Sequence, residues 1–218
     1  MLTAPRRTYG FTMIEMAIAM VIFGFLLMAA LPAMQEWFAN ARIRGASESI
    51  QNGIQTARAE AIRRNRPVTF WLVNNDDLHT FLASCSLSST GNAWVVAVND
   101  PGGSCDEAPS LTTTPMIVTG RTAGDAGAKV TVTALQNDAS TPANSITFNG
   151  FGTVTNAGAI ARIAIESAGA EAGARGLRID IAPSGAARMC DATVTADGDP
   201  RKCLCDETVT ADGDPRKC

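Results

Sequence analysis

Gly10-Phe11-Thr12-Met13-Ile14-Glu15, standing before the apolar run 16–31, decides how the rest of the chain is organised. Residues 1–10 form a short leader that carries Arg6 and Arg7 and no acid. Beyond Gly10 comes an apolar segment broken by one carboxylate, Glu15. About 20 apolar residues match the ~30 Å hydrocarbon layer of a bilayer. A carboxylate within such a segment costs about 2.5–3.5 kcal/mol on insertion scales, so its presence points to function. An ordinary secretory signal peptide would account for the basic leader and the apolar run. It would not account for Ala29-Ala30-Leu31-Pro32-Ala33, which leads into further helix, nor for Glu15.

Past the apolar run, Pro32 is expected to kink or locally unwind the helix. Ile43, Ala46, Ile50, Ile54, Ala57 and Ala61 then recur at spacings of three or four, an amphipathic stripe. Arg63, Arg64 and Arg66 favour a helix C-terminus and Pro67 stops it. A helix from Phe11 to Asn65 would be about 80 Å long at ~1.5 Å per residue. Its first half suits lipid or a fibre core, and its second half suits packing on a globular head. The basic cluster reads as a solvated helix end, with an anion, DNA or lipid-headgroup contact as the alternative.

The net charge of −3 is unevenly spread. Residues 1–66 hold eight Arg against four Glu, and residues 67–218 hold ten Lys and Arg against seventeen Asp and Glu. An acidic distal part argues against indiscriminate nucleic-acid binding. The six cysteines, Cys85, Cys105, Cys190, Cys203, Cys205 and Cys218, suggest disulfides in an oxidising compartment, with fifteen full pairings open. His79 is the only histidine, which argues against a Cys/His zinc site; a four-cysteine site from the last four stays open.

After Pro67 the hydrophobic period changes to that of strands. Residues 68–73 read as a strand, 74–77 as a turn and 78–83 as the hairpin partner, with His79 an exposed or satisfied strand residue. Further strands are expected at 94–98, 116–119, 129–133, 145–148, 162–166 and 177–182. Cys85 and Cys105 flank one of them and could staple it to the loop 100–104. The expected fold class is α+β: a long N-terminal helix packed on a head of two antiparallel sheets, stapled by disulfides.

The segment 10–15 resembles the prepilin cleavage and methylation motif of type IV pilins and type II secretion pseudopilins. That resemblance implies cutting between Gly10 and Phe11 by a prepilin peptidase, and N-methylation of Phe11. It assigns Glu15 to subunit register in a fibre and Pro32 to helix melting on assembly. Residues 61–68, Trp94, 146–154 and 177–185 are similar to the H-type pseudopilin group, which includes FimT- and FimU-like minor pilins. The likeness covers roughly residues 10–203 and is weak between Cys105 and Ser145. It implies a prepilin leader at 1–10, a transmembrane and assembly helix at 11–33 and an amphipathic helix at 34–66. A periplasmic head at 67–189 and a tail at 190–218 follow. The implied setting is the bacterial inner membrane, crossed once, and then a pilus or pseudopilus fibre near its tip. The implied partners are other pilins or pseudopilins, an inner-membrane assembly platform and the processing peptidase and methyltransferase.

Some FimT-like relatives bind DNA through a Gly-Arg-x-Arg motif. The matching position here reads Gly185-Ala186-Ala187-Arg188, with one arginine missing. Two arginines at i and i+2 lie on one strand face and can grip adjacent phosphates; one cannot. Arg175 and Arg178, read as surface strand residues, are the candidates to compensate. The tail 190–203 is repeated at 205–218 with thirteen of fourteen positions identical. The resemblance implies one C-terminal disulfide loop, and the copy suggests pairing Cys190 with Cys203 and Cys205 with Cys218. The Asp-Gly-Asp triplets lack the ligand spacing of a calcium loop and read as turns. No catalytic constellation, cofactor motif or metal-ligand cluster is present, so the chain reads as a structural subunit rather than an enzyme.

Overall fold

The computed structural model describes residues 10–124, 129–169, 173–194, 199 and 201–203, with the backbone alone at 29–33. The leader before Gly10 and the repeat carrying Cys205 and Cys218 lie outside the described residues.

One helix, α1 (Met13–Arg64), runs for 52 residues, about 78 Å at ~1.5 Å per residue. It starts two residues later than expected because Thr12 is its N-cap. The Thr12 hydroxyl accepts the Glu15 N–H at 3.3 Å, and the Glu15 carboxylate accepts the Thr12 N–H at 3.4 Å. This is a capping box, which satisfies two otherwise orphaned donors. The helix ends at Asn65 in the left-handed region (φ 47°, ψ 42°), where its N–H turns back to Ala61 and Ile62. Pro32 does not break α1. A helical proline forfeits one hydrogen bond, and the alanines, leucine and methionine beside it are strong helix formers.

The strands are β1 (Val68–Asn74), β2 (Ser86–Leu87), β3 (Ala93–Ala97), β4 (Ile117–Arg121), β5 (Val130–Leu135), β6 (Ser145–Phe148), β7 (Arg162–Ser167), β8 (Leu177–Ile181) and β9 (Ala187–Asp191). Sheet A has the order β2-β1-β3-β4, with β6 on the same side of β1 as β2. Sheet B has the order β5-β7-β8-β9. All pairings between these strands are antiparallel. The expected strands from 94 onward fall on β3 to β8; β2 and β9 were not anticipated.

The hairpin expected at 78–83 is absent, and β1 pairs instead with β3, Phe70 opposite Val96. The buried Asn75 side chain explains this. Its amide donates to the carbonyls of Asp77 and Thr80, and its oxygen accepts the Leu82 N–H at 3.0 Å. The Asp77 carboxylate takes the N–H groups of His79 and Thr80 at 2.7 and 2.9 Å. These side-chain bonds satisfy the backbone locally and draw the segment into a loop rather than a ladder. His79 therefore lies in that loop and not on a strand. The same two N–H groups, His79 first, hold the Asp77 carboxyl below its ordinary range.

The helical stripe forms the main core. Ile43, Ile50, Ile54, Ala57 and Ala61 are buried against Phe70, Leu72 and Trp94 of sheet A and Ile163, Ile165 and Ile179 of sheet B. Sheet A is covered on its other face too. Val73, Val95 and Ile117 pack there under the Cys85–Cys105 disulfide. Burial on both faces explains why β1 and β3 show no alternation.

Two contacts seat the helix. Gly53 lets it approach so closely that a Cβ there would lie 2.8 Å from Phe70 Cε2 and Trp94 Cδ2. The Trp94 indole N–H donates to Ser49 Oγ at 3.0 Å. Further along, Arg58 donates to the Gly152 carbonyl at 2.9 Å and the Ser184 carbonyl at 3.1 Å. One guanidinium thus ties α1 to a turn from each sheet.

Candidate assembly and contact sites

The first site is the beginning of α1. Every described side chain from 10 to 28 is exposed, on all faces of the helix. Phe11 is 81% exposed and Met13 92%. Glu15 is the only charge in that stretch. No water-facing helix buries nothing while carrying methionine, isoleucine, phenylalanine and leucine all round; such a surface requires lipid or other protein. Among the described residues no helix is long and apolar enough to cross a membrane.

The basic cluster at the other end of α1 is partly neutralised within the helix. Glu60 accepts from Arg63 at 2.6 Å and Arg64 at 2.7 Å. The Arg63 bond is the main reason the Glu60 carboxyl stays below its ordinary range, against a burial that raises it. Arg66 meets the Met116 sulfur at 3.6 Å.

The second site is the outer face of sheet B. Register aligns Arg162, Asp180 and Arg188 across β7, β8 and β9. Asp180 is only 8% exposed. Arg178 lies against its carboxylate, with Nε at 3.0 Å and Nη2 at 3.1 Å, and Arg162 Nε lies at 3.8 Å. Arg178 is therefore engaged with a buried acid and does not project from the sheet. Arg188 is exposed on β9. Arg175 precedes β8 rather than lying on a strand, and its backbone N–H is held by Asn40 Oδ1 at 2.9 Å. Position 186 belongs to the turn before β9, which follows Gly185 at φ +80°.

Cys190 and Cys203 form a disulfide, with the Cys190 sulfur 3.6 Å from the Asp180 carboxylate. Asp180, Cys190 and Cys203 converge within 4.8 Å, but sulfurs bonded to each other cannot act as thiolate ligands. The four-cysteine alternative falls for the same reason. Asp199 of the first Asp-Gly-Asp triplet pairs with Arg201 at 2.8 Å. That bond holds its carboxyl down at about 2.

A cavity of about 700 Å³ separates α1 from the β8–β9 edge, bordered by Trp37, Arg44, Arg175, Met189 and Arg201. Sequence reasoning found neither this cavity nor the Arg58 clamp. Both arise from residues far apart in the chain, and an arginine on a polar helix face carries no mark of its two carbonyl partners.

The N-terminal segment matches the prokaryotic N-terminal methylation motif over residues 5–31. Comparison with curated proteins finds no match. Solved structures similar to this chain include the type IV minor pilin FimU of Pseudomonas aeruginosa (strain PAO1) in two crystal forms. One, in space group P65, is 16% identical with a TM-score of 0.38, covering 67% of this chain and 90% of that one. The other, in P21, is 18% identical with a TM-score of 0.39, covering 67% and 87%. The model for type II transport protein GspH matches residues 46–185, the greater part of the sequence, and the chain belongs to that family.

Proposed function

We propose that this GspH-family chain is a minor pilin or pseudopilin, a structural subunit that helps initiate or cap a type IV pilus or a type II secretion pseudopilus. The observation that carries this reading is the all-round exposure of the apolar helix at 10–28, with Glu15 as its single charge. In sequence the apolar run continues to Leu31, which brings it near the ~20 residues that a membrane span takes. Residues 11–33 then cross the inner membrane once before assembly, and the head stands in the periplasm, where its disulfides are stable. A prepilin peptidase cuts between Gly10 and Phe11, a methyltransferase modifies Phe11, and the assembly platform passes the chain into a fibre near its tip. The chain is the substrate of those enzymes and performs no catalysis itself.

A DNA-capturing role draws less support. Alanine stands at 186, and Arg178 is engaged with Asp180. That leaves Arg188 and Arg175 as candidate contacts.

The test is Glu15→Ala in a strain that assembles the fibre. Mass spectrometry of the mature N-terminus should still show methylated Phe11. Incorporation of the variant into sheared fibres should fall at least tenfold. Normal incorporation would refute the role given to Glu15, and an unprocessed Met1 terminus on the parent chain would refute the reading as a whole.

A further inference from the structure

The cavity of about 700 Å³ between α1 and the β8–β9 edge has a cationic and aromatic lining that the assembly role does not use. Trp37, Asn40 and Arg44 line it from one face of α1, at spacings of three and four, and Arg175, Met189 and Arg201 stand opposite. Asn40 ties the two walls together. Its Oδ1 accepts the Arg175 N–H at 2.9 Å, and its amide donates to the Gly173 carbonyl at 3.4 Å. Gly173, at φ +88°, closes on α1 so tightly that a Cβ there would lie 2.4 Å from Glu36 Cδ. Positive charge is in excess within the lining. Arg201 is paired with Asp199, and Asp191 accepts the Thr193 N–H at 2.9 Å. The guanidinium groups of Arg44 and Arg175 are exposed and have no hydrogen-bond or ion-pair partner among the described residues. Two planar forks beside an indole and a thioether suit a ligand that joins a phosphate to an apolar part.

The place of the cavity along α1 selects the ligand. Trp37 stands four residues beyond position 33, where the proposed membrane span ends, about 6 Å further along the helix. The headgroup layer on each side of the hydrocarbon is ~5–8 Å deep. Trp37 and Phe38 are 66% and 42% exposed and pack edge to face at 5.1 Å, the kind of amphipathic rings that settle in that layer. Arg44 lies about 16 Å beyond position 33 along the helix, but its side chain leans back toward the helix N-terminus and so toward the bilayer. The flank of a span that faces away from the cytoplasm is ordinarily poor in arginine, so a guanidinium here calls for a partner.

We propose that this cavity holds the headgroup of an anionic phospholipid from the periplasmic leaflet of the inner membrane. Arg44 and Arg175 take the phosphate from the helix side and the sheet side, and Trp37 lies against the glycerol and the upper acyl chains. The site works while the chain waits in the bilayer. A lipid held between α1 and the β8–β9 edge fixes how the head is turned over the membrane before the chain is passed into a fibre. The inference rests on the reading of 11–33 as a membrane span, but can fail separately from it.

The experiment uses the full-length chain, purified in detergent from a processing-competent host and mixed with equimolar dioleoylphosphatidylglycerol and dioleoylphosphatidylcholine. Native mass spectrometry then counts the lipids retained. The parent chain should keep phosphatidylglycerol over phosphatidylcholine at least fivefold, since each arginine near an anionic lipid contributes roughly that factor. Arg44→Gln with Arg175→Gln should bring the preference below twofold, and either change alone should lower it at least twofold. Arg121→Gln with Lys129→Gln removes the same charge from exposed positions elsewhere on the head and should leave the preference unchanged. Melting temperatures of all variants should match the parent, which excludes a folding defect. Excess inorganic phosphate or a single-stranded oligonucleotide should not displace the lipid; displacement by either would name a free phosphate or a nucleic acid as the ligand and overturn the proposal. Equal retention of the two lipids overturns it too, as does a preference that survives the double substitution or falls as far in the charge control. If the mature terminus is methylated Phe11 under those outcomes, the lipid site fails while the assembly reading stands.

Discussion

Gly45 and Gly53 lie two turns apart in α1, and the structure assigns opposite signs to the same substitution at each. Replacing glycine by alanine in a helix interior gains about 0.8–1.0 kcal/mol, because the unfolded chain loses freedom and the helix loses none. At Gly45 no heavy atom lies within 4 Å of the new Cβ, so that gain stands. At Gly53 the Cβ would sit 2.8 Å from Phe70 Cε2 and Trp94 Cδ2 and 2.9 Å from Trp94 Cε3. Neither ring can retreat easily. Phe70 is fully buried, and Trp94 is held by Ser49 and stacked on Phe70 at a centroid distance of 5.9 Å. Overpacking of this kind costs about 1–3 kcal/mol. Set against the helix gain, Gly53→Ala should destabilise by between zero and about 2 kcal/mol, leaving it about 1–3 kcal/mol below Gly45→Ala. For a chain of this size ~1 kcal/mol moves the melting temperature by about 2–4 °C. Thermal and urea unfolding of both full-length variants in detergent, followed by far-ultraviolet circular dichroism, measures the difference. If Gly53→Ala were as stable as Gly45→Ala, α1 would not be seated on the Phe70–Trp94 pair, and the core described above would be wrong.

Arg58→Met removes the donors to Gly152 and Ser184 while keeping the aliphatic stem. Hydrogen bonds from a charged group contribute about 1.5–3 kcal/mol each, less where solvent reaches them, so the loss should be about 2 kcal/mol by urea unfolding. Arg58→Lys should recover less than half of it, because an ammonium lacks the planar fork that serves two carbonyls. For Asp199, the Arg201 bond holds the folded-state carboxyl at about 2, below the ordinary 3.8. Its contribution is therefore complete above the ordinary value and is lost as pH falls toward about 2. Carboxyl carbon shifts should titrate with a midpoint near 2, and Arg201→Gln should raise it only part of the way to the ordinary range, because the backbone N–H of residue 201 still donates to the carboxylate.

How far the sequence could be read depended on how local the deciding physics was. The helix and its stripe were legible because period and caps are written within a few residues of each other. Ile43, Ile50 and Ile54 fell where the spacing put them. The strand 78–83 was misread because its Leu, Thr and Phe content says nothing of Asn75, one buried side chain that satisfies the loop's backbone at three points. Pro32 lies within α1 without interrupting it, because a proline amid strong helix formers removes one bond and need not end the helix. β9 was missed because its sequence, Ala187 to Asp191, is strand only by virtue of pairing with β8 and anchoring Cys190. The arginines show the limit most plainly. Arg175, Arg178 and Arg188 look alike in sequence, yet one flanks a loop, one is bound to a buried acid and one faces water.

Glu15 gains a second meaning from the capping box. A carboxylate at this depth in an apolar helix needs a partner, because its isolated charge is costly there. In the uncut chain the partner is the Thr12 N–H, and the Thr12 hydroxyl returns the bond. Both groups lie beyond Gly10, so cleavage between Gly10 and Phe11 would leave the box intact. It would add a free amine about one helical turn, ~6 Å, from the carboxylate. The precursor and the processed chain can therefore both accommodate Glu15, the first through the cap alone and the second through the cap and a cation. Thr12→Val separates these roles. It abolishes the hydroxyl half of the cap while keeping the side chain's shape, and an N-cap loss of this kind costs about 0.5–2 kcal/mol. Were Glu15 needed only as a member of an intact capping box, loss of the hydroxyl half in Thr12→Val would impair fibre entry much as Glu15→Ala does. The argument here requires that Thr12→Val be processed and incorporated nearly as well as the parent chain, with Glu15→Ala alone excluded.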